Sequence, residues 1–176
     1  MMTVTTPTKR LGRTNAAEAG RLADLYARHS PAAGRLAYLL TGDATLAEDL
    51  TQEAFVRAFG RFRDLRRPES FEWYLRRTLV NLTRSHFRRR RTEREFLARQ
   101  PSGAHADTPA DPSERDAMWR TLQRLPPKQR TALVLRFYED LGNAQVADAM
   151  GCPVGTAKSL IHRGLERLRT EVTEHD

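Results

Sequence analysis

The sequence predicts an all-α fold of two small helical modules joined by a flexible linker. Three observations predict it. Apolar residues recur at helical spacing from Leu22 to Leu82 and again from Val146 to Leu168. No β-type alternation of useful length occurs anywhere. Between the two helical blocks, Gln100 to Ser113 reads QPSGAHADTPADPS, with three prolines, a glycine and small polar residues, a composition that resists packing. A chain of 176 residues has room for one domain or two small ones.

Residues 1–18 are rich in Thr, Ala and charge without an apolar period, and read as a mobile tail. The first module spans 19–91. Its first helix, Arg21 to Leu40, carries Leu22, Leu25, Tyr26, Leu36, Leu39 and Leu40, and Pro31 and Gly34 interrupt it. Asp43 suits the N-cap of the next helix. That helix, Ala44 to Phe59, turns Leu46, Leu50, Ala54, Phe55 and Ala58 inward. A third helix, Phe71 to Arg91, buries Phe71, Leu75, Leu79 and Leu82. Residues 92–113 form the linker, which reaches about 70 Å when fully extended.

The second module, 114–172, contains the most informative stretch, LGNAQVADAMGCPVGTAKSLIHRGLERLR from Leu141 to Arg169. It reads as helix, tight turn, helix. Val146, Ala147 and Met150 face inward. Gly151 to Gly155 breaks the first helix, and Thr156 is placed to cap the second. Along that second helix Ala157, Ile161, Gly164, Leu165 and Leu168 form one stripe, and Lys158, Ser159, His162, Arg163 and Arg169 lie opposite. A helix packed on one side and offering Lys, Ser, His and Arg on the other suits a DNA major groove. A solvated surface helix is the plainer alternative.

Charge agrees with a nucleic-acid partner. Thirty Lys and Arg stand against 22 Asp and Glu, a formal +8, and much of the excess lies in Arg84 to Arg91 with Arg94 and Arg99. One cysteine excludes an internal disulfide, and Cys152, with no Cys or His cluster, is a poor metal ligand and reads as a partly buried turn residue. No cofactor or metal is expected. No apolar run approaches membrane-spanning length and no signal core opens the chain, so a cytoplasmic protein without membrane insertion is expected.

Two further faces carry chemistry. Glu48, Asp49, Gln52 and Glu53 cluster opposite the buried stripe of the second helix. Such a patch repels phosphate and fits either plain solvation or a basic protein partner. On the third helix Trp73, Arg77, Asn81, Arg84 and Arg88 share one line, with Tyr74 beside it. Arginines contact phosphates, aromatics stack on unpaired bases and Asn reads a base edge, although Trp73 and Tyr74 fit a core role equally well. The preceding loop, Arg63 to Ser70, has the makings of a pocket for an extruded base.

These residues resemble the extracytoplasmic-function (group IV) sigma factors of the bacterial sigma-70 family. Glu48-Asp49-Leu-Thr-Gln52-Glu53-Ala-Phe55 is similar to the family's region 2.2, Phe71 to Arg91 to regions 2.3 and 2.4, and Leu125-Pro126-Pro127-Lys-Gln-Arg130 with the helix-turn-helix to region 4. The resemblance implies that 19–91 is region 2 and 114–172 is region 4. It implies a protein that binds core RNA polymerase, at its clamp coiled coil and flap, and directs it to promoter DNA. Asp49, Gln52 and Glu53, with Glu48 beside them, would face the clamp. Trp73, Tyr74, Arg77, Asn81, Arg84 and Arg88 would serve the melted −10 element, and Thr156, Lys158, Ser159, His162 and Arg163 the −35 element. An anti-sigma protein is a further partner that the family leaves open. The chain departs from the family pattern in places. Tyr74 fills the usual Trp slot with Trp73 one place earlier, Gly142-Asn143-Ala144-Gln145 replaces Ser-Tyr-x-Glu, Ala157 replaces Val, and Leu160 replaces an Arg whose loss removes a phosphate contact. With the sequence ending soon after Arg169, no further C-terminal sensory domain is expected.

Two other classes compete. A stand-alone dimeric helix-turn-helix repressor would use the same C-terminal helix but leaves the acidic patch and the aromatic-basic helix unexplained. An enzyme acting on nucleic acid would need a metal or nucleophile constellation, and the carboxylates Glu48, Asp49 and Glu53 have no His or further Asp placed to complete one. The chain therefore reads as a non-enzyme.

Overall fold

The structure, a computed structural model, describes residues 9–62, 69–97 and 114–173. Every element among the described residues is helical: α1 (Lys9–Thr41), α2 (Ala44–Phe62), α3 (Glu69–Leu97), α4 (Glu114–Arg124), α5 (Pro127–Leu133), α6 (Asn143–Met150) and α7 (Val154–Thr173). No described helix is long and apolar enough to cross a membrane. The loop before the third helix, expected to form a pocket, lies outside the described residues between 63 and 68, as do 1–8 and 98–113.

Helices α1, α2 and α3 pack on one another around the expected stripes. Leu50, Ala54, Phe55 and Ala58 from α2 are buried against Leu36 and Leu40 of α1 and Phe71, Leu75, Leu79 and Leu82 of α3. The rings of Phe55 and Phe59 approach Phe71 with centroids 6.1 and 5.6 Å apart. Tilted or offset pairs of this kind add about 0.5–1.5 kcal/mol beyond the area they bury. Asp43 caps α2 as its position suggests: its Oδ1 accepts from the Leu46 N–H at 2.9 Å.

Three expectations are corrected here. Helix α1 is continuous and begins at Lys9, so it runs through Pro31 and takes in part of the segment read as a tail. An interior proline costs about 3 kcal/mol. Packing flanking Pro31 on both sides opposes that cost: Tyr26 meets Phe55 at 4.8 Å, His29 meets Phe71 at 5.5 Å, and Ala33 and Leu36 are buried. At the far end, α3 extends to Leu97 and makes part of the expected linker helical. Finally, Thr156 is not the cap of α7. That helix begins at Val154, and the Ala157 N–H already bonds to the Pro153 carbonyl at 3.1 Å. Pro153 presets the dihedral from which the first turn starts, which places Thr156 inside that turn.

In the second module α7 packs on α5 and α6. Ala132, Leu133, Val146, Ala147, Ala149, Met150, Ala157 and Ile161 are buried together. Helix α5 widens at its end into a π-type turn, Val134–Tyr138, where the Glu139 N–H reaches the Val134 carbonyl at 3.1 Å. Gly151 ends α6 in the left-handed region at φ 61°, and the Cys152 N–H bonds back to Ala147 O at 3.0 Å, so the turn satisfies helix-end carbonyls. Cys152 is partly buried in that turn, as expected.

The cores of both modules are contiguous. Helices α1 and α3 of the first module touch α4, α5 and α6 of the second, despite the long linker between them.

Candidate functional site

Burial on one side fixes what each helix presents on the other. On α2 the buried set Ala47, Leu50, Ala54 and Phe55 leaves Glu48, Asp49, Gln52 and Glu53 exposed on one face. Glu53 forms an ion pair with Arg57 one turn along. Both partners are about half exposed, so the pair is worth little in stability and leaves the face acidic and wet.

On α3, Phe71, Leu75, Leu79 and Leu82 anchor the helix, while Arg77, Arg84 and Arg88 are exposed. Trp73 and Tyr74 are both half-buried against the core, and Asn81 is half-buried between the arginines in sequence. Trp73 therefore has an apolar body held in place and a polar edge free to donate. Its Nε1–H donates to Asp148 Oδ2 of α6 at 3.2 Å. The Arg76 guanidinium lies 5.7 Å from the same ring.

The recognition helix α7 shows the same division. Ala157, Ile161 and Gly164 are buried, and Thr156, Lys158, Ser159, His162 and Arg163 are all exposed. His162 lies 3.2 Å from Glu166 one turn on. Leu160 is half-buried against the core, which explains why an apolar residue is comfortable there. The structure brings Lys158, Ser159, His162 and Arg163 together on one surface, and the exposed rim of α2 and the line on α3 form two further surfaces.

Several residues that the sequence did not single out join the modules. Glu139, just past the wide turn, accepts from Arg76 Nε at 2.6 Å, with both side chains under one-sixth exposed at 15% and 12%. Asp148 pairs with Arg77 at 3.3 Å, and Arg84 Nη1 donates to the Met150 carbonyl at 2.8 Å. Arg130 is buried, donates to Gln123, and holds its guanidinium 5.3 Å over the Phe87 ring of α3. Burial pushes its pKa down to about 10. Tyr38 of α1 stacks on Trp119 of α4 at 5.3 Å, and the Gln123 amide donates to the Leu39 carbonyl at 3.2 Å. One sequence signal bore on this: Asp148 is an acid in the last turn of a helix that has no base there.

Comparison with known proteins covers both modules. Residues 25–93 match the sigma-70 region 2 family, and residues 115–168 match the sigma-70 region 4 family. The chain is 34% identical over 142 residues to the RNA polymerase sigma-E factor of Streptomyces avermitilis, covering 81% of this chain and 79% of that protein. It is 28% identical over 181 residues to the ECF RNA polymerase sigma factor SigW of Bacillus subtilis, covering 94% and 96%. Among solved structures, the fold is similar to the sigma factor RpoE in its complex with the anti-sigma factor NepR from Bartonella quintana. The TM-score is 0.68 at 24% identity, covering 86% of this chain and 96% of that one. CnrH in complex with the cytosolic domain of CnrY gives 0.62 at 24%, covering 92% and 96%. Two matched regions in the right order, over most of the chain, settle its kinship: it belongs to the sigma-70 family of RNA polymerase sigma factors, within the extracytoplasmic-function group.

Proposed function

We propose that this chain binds core RNA polymerase and directs it to a class of promoters, residues 19–91 serving the clamp and the −10 element and residues 114–172 the flap and the −35 element. The observation that carries the reading is the set of three polar faces of different chemistry, each opposite a buried stripe: the faces of α2 and α7 are exposed, and the line on α3 is partly covered by α6. The acidic face of α2 suits a basic coiled coil and repels DNA. The Trp73–Arg88 line of α3 offers stacking, an amide and phosphate-binding cations to single-stranded DNA. Lys158, Ser159, His162 and Arg163 on α7 suit base edges and phosphates of a major groove.

In this reading the chain performs no chemistry itself and acts in the cytoplasm, where RNA polymerase works. An anti-sigma protein is a further partner. A dimeric repressor would leave the faces of α2 and α3 without a role.

Copurification of the full chain with core polymerase, followed by run-off transcription from genomic DNA, tests the proposal. Discrete transcripts that depend on the added chain are expected. Absence of a complex with core polymerase, together with binding of the free chain as a dimer to palindromic duplex, would overturn it.

A further inference from the structure

On α7 the imidazole of His162 and the carboxylate of Glu166 stand one turn apart, with Nε2 3.2 Å from Oε1. Buried Ala157, Ile161 and Gly164 fix the opposite side of the helix, so both side chains lie out in solvent with Lys158, Ser159 and Arg163. The pair adds little to folding. Its side chains are 72% and 57% exposed, and ion pairs so open to water contribute little stability. On a helix that approaches phosphates a carboxylate is also an electrostatic cost, since general attraction to DNA comes from the cations beside it.

What the carboxylate supplies is polarity for its neighbour. Lone pairs on nitrogen and oxygen at 3.2 Å repel each other, so a hydrogen belongs on Nε2. In the neutral imidazole the other ring nitrogen, Nδ1, is then bare and only accepts. Among the described residues nothing else bonds to the His162 ring, which leaves Nδ1 for a partner outside the chain. The major groove tells an acceptor from a donor. Cytosine N4 and adenine N6 offer amino hydrogens, whereas guanine O6 and thymine O4 accept. A ring that accepts at Nδ1 matches the first pair of bases and opposes the second.

We propose that Glu166 is a positioning residue for base reading: by holding the hydrogen of His162 on Nε2, it makes His162 select an amino-bearing base in the −35 element. Glu166 acts through His162 and has no need to touch DNA itself. This rests on the reading of α7 as the −35 helix.

The test is a scan of −35 duplex variants bound by the full chain with core polymerase. It is run at pH 8, where an ordinary imidazole, with a pKa of about 6.5, is neutral. At one position the unmodified chain should favour amino-bearing over keto-bearing bases by about threefold or more, and His162→Ala should abolish that preference. Glu166→Lys sets a group that only donates beside the ring, so the hydrogen moves to Nδ1 and the preference should reverse. Glu166→Gln, whose amide oxygen still accepts, should retain it. With His162→Ala already present, neither substitution at Glu166 should alter the profile. His162 and Glu166 are exposed, so helical circular dichroism should match throughout. If Glu166→Lys tightens binding to every variant by the same factor and leaves the preference unchanged, the carboxylate only repels phosphate and the proposal is overturned. A profile that His162→Ala leaves unaltered overturns it too. A profile of the unmodified chain that is flat across the whole −35 element overturns the functional reading of α7 as well, whereas preferences that respond to Arg163→Ala uphold that reading independently of Glu166.

Discussion

Gly164 of α7 stands directly against Leu133 of α5: a Cβ on the glycine would lie 2.9 Å from Leu133 Cγ and Cδ1. The two helices approach this closely because one of them offers only backbone at the contact. Overpacking a core costs about 1–3 kcal/mol, and replacing a helical Gly by Ala returns up to about 1 kcal/mol. Gly164→Ala is therefore expected to destabilise the chain by about 1 kcal/mol net, read as a lower urea midpoint. In a Leu133→Val background the same substitution is expected to cost less, since the two changes share one contact. Equal costs in both backgrounds would show that Leu133 is not what Gly164 accommodates.

The acidic face of α2 is predicted to dock polymerase. Asp49 and Glu53 are exposed, so reversing both to Lys should leave helix content unchanged. Affinity for core polymerase should fall severalfold or more, measured by competition with the unmodified chain. An unchanged affinity would remove this face from the interface.

Base reading and phosphate binding on α3 separate by mutation. Arg88 is exposed and takes no part in the contact with α6 described above. Arg88→Ala should weaken binding to all single-stranded sequences alike and reduce the salt slope by about one unit. Asn81→Ala should instead change preference among bases. A variant at Asn81 that only loses overall affinity would show that this amide does not read sequence.

On α7, Arg163 can bond a guanine edge bidentately, and such a pair is worth ~1–3 kcal/mol of discrimination. Arg163→Ala should cut −35-dependent transcription and relax preference at one or two base pairs, about tenfold at the stronger of them. A scan of promoter variants reads this directly. If the −35 profile is the same with and without Arg163, another face of the module contacts the DNA.

His86 gives the fold a pH dependence of defined sign. Its Nε2 is buried without a hydrogen-bond partner among the described residues. Burial first, then Arg90 and Arg89, hold its pKa below the ordinary 6.5, with Glu93 and Asp43 opposing. The unfolded chain therefore takes up the proton at a higher pH than the folded chain. Stability from this group is full above 6.5 and is lost as pH falls through the lower folded-state value. The urea midpoint should drop between about pH 7.5 and 5.5, and less steeply in His86→Phe. An identical slope in the variant would assign the pH dependence to other groups.

The faces of α2, α3 and α7 were legible in the sequence because each rests on a period. Leu50, Ala54 and Phe55, or Ala157 and Ile161, are buried where helical spacing puts them, and Gln52 and Glu53, or Lys158 and Ser159, are exposed by the same geometry. Periodicity is a local property, and burial of one stripe decides the opposite face without knowledge of any neighbour. The tertiary structure alone decided the rest. Pro31 reads locally as a break, yet α1 runs through it, because packing beside Phe55 and Phe71 involves residues far along the chain. The pairing of Asp148 with Trp73 and Arg77, and of Glu139 with Arg76, joins residues more than sixty positions apart, at 75, 71 and 63. No periodic signal encodes which solvated charges of one module will meet those of the other. That choice depends on how two finished surfaces fit, and surfaces exist only after the helices have packed.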